Sequence, residues 1–98
     1  MAIQIRFIKA PTPNLVDMLA SRMRPEQQDA VRGVRWDAVG LFQSSIPDMF
    51  LAADRAEKAA NVRIHEIRGN CPQNLTTMAV FGDTSAVQAA LDAVRNLE

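Results

Sequence analysis

Among the groups able to do chemistry, one thiol stands apart. Cys71 is the single cysteine of the chain, in the run Arg68-Gly69-Asn70-Cys71-Pro72-Gln73-Asn74. The thiolate rather than the thiol ligates metals or attacks electrophiles, and a nearby cation favours it. Arg68 is a candidate source of that charge. A proline directly after a cysteine, as in Cys71-Pro72, also follows the last ligand in some iron–sulfur sequences. One cysteine is not a cluster site, because iron–sulfur clusters and zinc usually take about four protein ligands. Only an oligomer that gathers several copies of Cys71 at a symmetry axis supplies them; otherwise Cys71 is a free loop thiol.

The remaining candidates are thin. His65 is the only histidine, set in a strand between Ile64 and Glu66, and its plain reading is a strand histidine facing solvent or a subunit contact. Cys71 as an enzyme nucleophile would have only His65 as a base, with part of a strand between them. Ser44 and Ser45 end a strand and begin a helix, where Ser45 is explained as a cap. The glycines are scattered at 33, 40, 69 and 82, so there is no glycine-rich phosphate loop.

The elements that must hold Cys71 follow from periodicity. Residues 2–9 alternate as a strand through Ile3, Ile5 and Phe7. Thr12-Pro13 reads as a cap with proline in the first turn, opening a helix with Leu15, Met18, Leu19 and Met23 at helical spacing. Arg24-Pro25 breaks it. The charged stretch from Glu26 to Arg35 is either a short helix, 25–31, or a connecting loop. Residues 38–44 read as a largely buried strand. Ser45-Ile46-Pro47-Asp48 starts a second helix, with Ser45 as cap and Asp48 as its capping-box partner; Met49, Phe50, Ala53 and Ala56 form its apolar face and Asn61 its stop. Strands at 62–67 and 75–81 flank the cysteine loop. The connector is longer than the roughly two to five residues a hairpin requires, and loops on rigid scaffolds carry function more often than the scaffold does. Gly82-Asp83-Thr84 leads into a last helix, 84–97, with Val87, Ala90, Leu91 and Val94 as its buried stripe. The order β-α-β-α-β-β-α predicts an α+β domain, most simply an antiparallel sheet with helices on one face.

Bulk properties bound the function. The 98 residues suit one domain spanning 1–98, foldable but marginal alone, so that oligomerisation would help it. Eleven basic and eleven acidic side chains cancel, leaving no net field toward nucleic acid. No apolar run of ~18 residues is present to span a membrane. The N-terminus lacks a secretion pattern, and with one cysteine a cytosolic, reducing compartment is the expectation.

Ordered segments then carry a resemblance. Val39-Gly40-Leu41 leading into Ser45-Ile46-Pro47, the run Ala52-Ala53-Asp54-Arg55-Ala56-Glu57-Lys58-Ala59-Ala60-Asn61-Val62, and the run from Val80-Phe81-Gly82-Asp83-Thr84 to Ala90 resemble shell proteins of bacterial microcompartments, built on the BMC domain. The spacing of Asp54, Lys58, Asn61 and Val62 matches the family's Asp-x-x-x-Lys-x-x-Asn-Val pattern. Because the extra strand and helix come first, at 2–23, the chain resembles the circularly permuted, ferredoxin-like branch that includes the ethanolamine- and propanediol-utilisation shell proteins.

The resemblance implies a non-enzymatic, cytoplasmic protein of a microcompartment shell. It implies cyclic homohexamers that tile with other shell proteins around encapsulated enzymes, and no nucleic-acid or membrane partner. It implies that the loop Gly69, Asn70, Cys71, Pro72, Gln73 and Asn74 lines a central pore passing metabolites or electrons. The Gly-x-Cys-Pro pattern is similar to the pore loop of a permuted glycyl-radical microcompartment shell protein, which implies an iron–sulfur cluster of the 4Fe–4S type shared through Cys71. Asp54, Lys58 and Arg95 would lie at the hexamer–hexamer edge. The reading independent of the resemblance is a small ligand-binding or regulatory α+β domain with 69–74 as its effector site.

Overall fold

Two strands carry runs of consecutive buried residues, and such strands need cover on both faces. They are β2 (Ala38–Ser45) and β4 (Leu75–Gly82), the central pair of a four-stranded sheet in the computed structural model, which describes residues 2–69 and 75–97. β1 (Gln4–Lys9) flanks β2 and β3 (Arg63–Ile67) flanks β4, giving the order β1-β2-β4-β3 with every neighbouring pair antiparallel. The register pairs Phe42 with Met78 and Val39 with Phe81, so even-numbered residues of β2 and β4 share one face and odd-numbered residues the other.

The even face lies under two long helices. α3 (Ile46–Ala59) buries Met49, Ala52 and Ala56, and α4 (Thr84–Arg95) buries Val87, Ala90, Leu91 and Val94. They close one core over Ala38, Phe42, Met78 and Val80, with Ile3, Ile5 and Ile64 at its margin. The segment β2-α3-β3 is a split βαβ unit, since β4 runs antiparallel between its two strands.

The odd face has its own cover, which corrects the expectation of helices on one face. α1 (Pro13–Ala20) lays Val16, Leu19 and Ala20 over Val39, Ala79, Phe81 and Ile67, with Met23 and Val31 completing this second core. The physical reason is the pattern of the central strands themselves. Val39 and Phe81 are as fully buried as Phe42 and Val80, and a sheet covered on one side would leave half of them in water.

Local chemistry sets the boundaries. Thr12 caps α1 as expected, its hydroxyl accepting from the Leu15 amide at 3.1 Å. Ser45 occupies the cap position of α3, yet its hydroxyl donates to Asp48 Oδ2 at 3.0 Å rather than accepting from a backbone amide. The open question at 25–31 resolves into one turn of helix, α2 (Pro25–Gln28), followed by hydrogen-bonded turns. Gln28 ties that segment to the Met23 carbonyl at 3.2 Å, and the Trp36 indole donates to the Val31 carbonyl at 3.2 Å. Gly33 reverses the chain with φ of +76°, a left-handed conformation that favours glycine.

Candidate functional site

The stem of the cysteine loop is fixed by strand pairing and one long-range tether. Pairing of β3 with β4 runs to Ile67 opposite Thr77, while β4 continues to Leu75 against Ser45 of β2. Beyond Ile67 the chain leaves its partner, and Arg68 is caught from the other side. Its amide donates to the Arg22 carbonyl at 2.8 Å, just past the end of α1, and Arg22 Nη1 reaches the Arg68 carbonyl at 3.5 Å. Gly69 follows, its Cβ position 3.9 Å from the same guanidinium nitrogen. Of the candidate pore residues, Gly69 is therefore placed, whereas Asn70, Cys71, Pro72, Gln73 and Asn74 lie outside the described residues. Among the described residues no group of three or more His, Cys, Asp or Glu side chains could hold a metal ion.

Two shallow clefts of about 420 and 210 Å³ flank the Arg22–Arg68 contact. Ser21 and Met23 line one, Gln43 and Thr77 the other, and among the described residues no acidic side chain lines either. Arg68 stands out in the sequence by its place beside the cysteine. Arg22 does not, because its contact rests mainly on backbone atoms 46 residues apart.

His65 does not face solvent, the first of its two expected settings. It sits half-buried on the α1 face, its Nδ1–H donating to Gln27 Oε1 at 3.1 Å and its ring centroid 6.0 Å from that of Phe81. Nε2 is buried and has no partner among the described residues. Burial first, and the Arg63 guanidinium second, hold the imidazole below its ordinary value of 6.5. In the unfolded chain His65 takes up its proton as pH falls through 6.5, whereas the folded protein resists protonation to a lower pH. The stability this supplies is complete above 6.5 and is lost as pH falls through the native value. Urea unfolding at fixed chain concentration between pH 7.5 and 5 is expected to show a steeper loss for the wild type than for His65→Gln. Parallel profiles would refute the assignment.

The three candidate edge residues are exposed on the two long helices. Lys58 Nζ lies 2.7 Å from Asp54 Oδ2, and Arg95 Nη1 lies 2.6 Å from Asp92 Oδ1. Both pairs lie within one helix, and such pairs contribute only about 0.3–0.5 kcal/mol each. Asp54 and Lys58 continue a stripe at four-residue spacing that begins with Ile46 and Phe50. Phe50 is 67% exposed, which corrects its assignment to the apolar face of α3. The buried phase runs through residues 49, 52 and 56, and Phe50 falls outside that arc.

Among the described residues a cleft of about 610 Å³ lies between the start of α1 and residues 32–36. Pro11, Val16, Val34 and Trp36 form its apolar walls, and an ion pair between Arg32 and Asp17 crosses it. Arg32 also reaches Ser21 Oγ and Gln28 Oε1, each at 3.3 Å. The reversal at Gly33 forms part of its wall.

The BMC domain profile matches residues 38–97, from the first residue of β2 to just beyond α4. The fold is similar to the ligand-free structure of the GrpU microcompartment shell protein from Pectobacterium wasabiae, with 36% identity over 94% of this chain and 99% of that one, and a TM-score of 0.75. It is also similar to the ligand-free GrpU shell protein from Clostridiales bacterium 1_7_47FAA, with 37% identity over 97% and 93% of the two chains and a TM-score of 0.70. The fused permuted hexameric shell protein MSM0275 from the RMM microcompartment shares the fold at a TM-score of 0.72 but only 21% identity, over 95% of this chain and 43% of that one. No curated protein matches the sequence.

Proposed function

The chain belongs to the BMC-domain family of microcompartment shell proteins, and from that premise we propose that it is a structural building block forming cyclic homohexamers that tile into a shell. The observation that carries the reading is likeness over almost the whole chain, at 36% and 37% identity, to two microcompartment shell proteins. The order of elements supports the permuted branch, because β1 and α1 precede the segment matched by the BMC profile. No helix among the described residues is long and apolar enough to cross a membrane. The protein acts without catalysis, in the shell that encloses other enzymes in the cytoplasm.

The loop Gly69–Asn74 lines the pore on the sixfold axis, and Cys71 gives each copy one thiol there. The donor set fits an iron–sulfur cluster only in the assembled ring, since a lone thiol per chain is insufficient. When bound, such a cluster would supply one-electron transfer at the pore. The protein's own part is to hold the loop stem, through the Arg68 amide on the Arg22 carbonyl and the β4 pairing to Ser45.

The stripe Ile46, Phe50, Asp54 and Lys58 supports contact between copies, since it places exposed apolar surface beside charge on one side of α3. Light scattering of the purified protein is expected to give a single species of six chains, and a monodisperse monomer at high concentration would sink the reading. Lys58→Ala is expected to preserve the hexamer and to reduce two-dimensional sheets in negative-stain micrographs. Undiminished sheets would remove Lys58 from the edge.

A further inference from the structure

We infer that Arg22 and Arg68 form a cationic collar around the stem of the loop, which draws multiply charged oxyanions, carboxylate- or phosphate-bearing, toward the axis. The inference rests on the hexameric reading above, which puts residue 69 beside the axis, and it adds the class of molecule the pore favours.

Three observations carry it. The first is the tether. The Arg68 amide on the Arg22 carbonyl fixes the two residues side by side, and Arg22 Nη1 leans over the Arg68 peptide at 3.5 Å. Two arginine residues are thus held side by side by main-chain geometry rather than by attraction between opposite charges. The second is the missing counter-charge. The ion pairs among the described residues are Arg32 with Asp17, Lys58 with Asp54 and Arg95 with Asp92, so neither Arg22 nor Arg68 is neutralised among them. The third is access. Both arginines are exposed, and each lines the two clefts on either side of their contact, where no acidic side chain is found among the described residues.

In a cyclic assembly each copy adds two guanidinium groups to one ring. The whole chain is neutral, with eleven acids against eleven bases, so the ring is a local field and not a consequence of excess charge. Charges of one sign around a narrow opening concentrate counter-ions there and raise their entry rate, and the effect is screened by salt. Guanidinium suits the task because its planar fork matches carboxylate and phosphate oxygens in pairs.

The test uses the assembled protein and a fluorescent trisulfonated pyrene as probe, with methyl viologen as the charge-reversed control. Assembly is followed in parallel by light scattering. The wild-type hexamer is expected to bind about one dye per six chains, more weakly as salt rises, and to ignore the dication. Arg22→Gln combined with Arg68→Gln should leave six-chain particles, because the backbone tether is untouched, and should weaken dye binding roughly tenfold or more. Lysine at both positions, which keeps the charge, should retain most of the binding. Hexamers that bind no dye, or that bind it equally well without the two arginines, overturn the collar while leaving the shell reading intact. A wild type that is monomeric and binds no dye overturns both.

Discussion

Gly40→Val is expected to destabilise the protein severely, although valine is the better strand residue. Gly40 lies in β2, paired with Phe7 on one side and Val80 on the other. A Cβ at this position would sit 2.8 and 2.9 Å from the two δ carbons of Leu91 and 3.0 Å from its Cγ. Those are overlaps, and the branch carbon among them is not a freely swinging tip. Leu91 is 2% exposed, packed between α4 and the sheet, so displacing it disturbs a close-packed core. Strand propensity favours valine over glycine by up to about 1 kcal/mol. Overpacking a filled core costs typically about 1–3 kcal/mol, occasionally more. The steric term wins.

Gly40→Ala should therefore lose about 1–3 kcal/mol, which for a domain of this size lowers Tm by roughly 4–8 °C per kcal/mol. Gly40→Val should lose more, against a total stability of only about 5–15 kcal/mol. The discriminating measurement is a double-mutant cycle at fixed chain concentration, since assembly and folding are coupled. Leu91→Ala alone should cost about 2–5 kcal/mol by leaving a cavity. In the double variant the valine branches fill part of that cavity, so the combined loss should fall short of the sum by at least about 1 kcal/mol. Additive losses would mean that the close approach of α4 to β2 is not what excludes a side chain at 40.

Much of this architecture is legible from local pattern. Thr12-Pro13, the apolar strands around the cysteine loop and the Val87-Ala90-Leu91-Val94 stripe each speak through neighbours a few residues apart. The Val39-Gly40-Leu41 segment is legible as a family resemblance, and the structure adds its cause in the Leu91 contact. Other features depend on what meets across the fold. The apolar runs of β2 and β4 signal burial on both faces, yet nothing local says that α1 takes the second face. Phe50 sits next to Met49, and an angular difference of one residue decides between core and surface. The Arg22–Arg68 tether joins main-chain groups through the packing of α1 on the odd face, and backbone groups leave no residue-type signature. Ser45 shows the same limit at short range, since its hydroxyl had two acceptable partners and Asp48 won.

Cys71→Ser is expected to separate colour from assembly. In the proposed hexamer six copies of Cys71 would present six sulfurs to one axis, whereas a four-iron cubane takes about one ligand per iron. The symmetries do not match, so a single cluster would use three thiolates on three irons, with solvent or another group on the fourth, or be statically disordered about the axis. Iron should accordingly saturate at roughly four atoms per six chains and not at one cluster per chain. Six thiolates in such a ring would also repel one another, and a cation beside a thiol favours its deprotonated form. Arg68, three residues before Cys71 in the sequence and tethered to Arg22, is the candidate source of that compensation. Serine at 71 removes the soft sulfur donor and leaves a hydroxyl that stays protonated near neutral pH and binds iron poorly. Anaerobically reconstituted wild type should be brown, with broad thiolate-to-iron absorption. The variant should retain less than about a tenth of the iron while light scattering still reports six chains. Colourless wild type would remove the cluster and leave the shell, because the shell reading rests on likeness over almost the whole chain and not on the thiol. Undiminished colour in Cys71→Ser would place the iron on other ligands, and a variant that lost both iron and hexamer would show that Cys71 serves the fold of the loop itself.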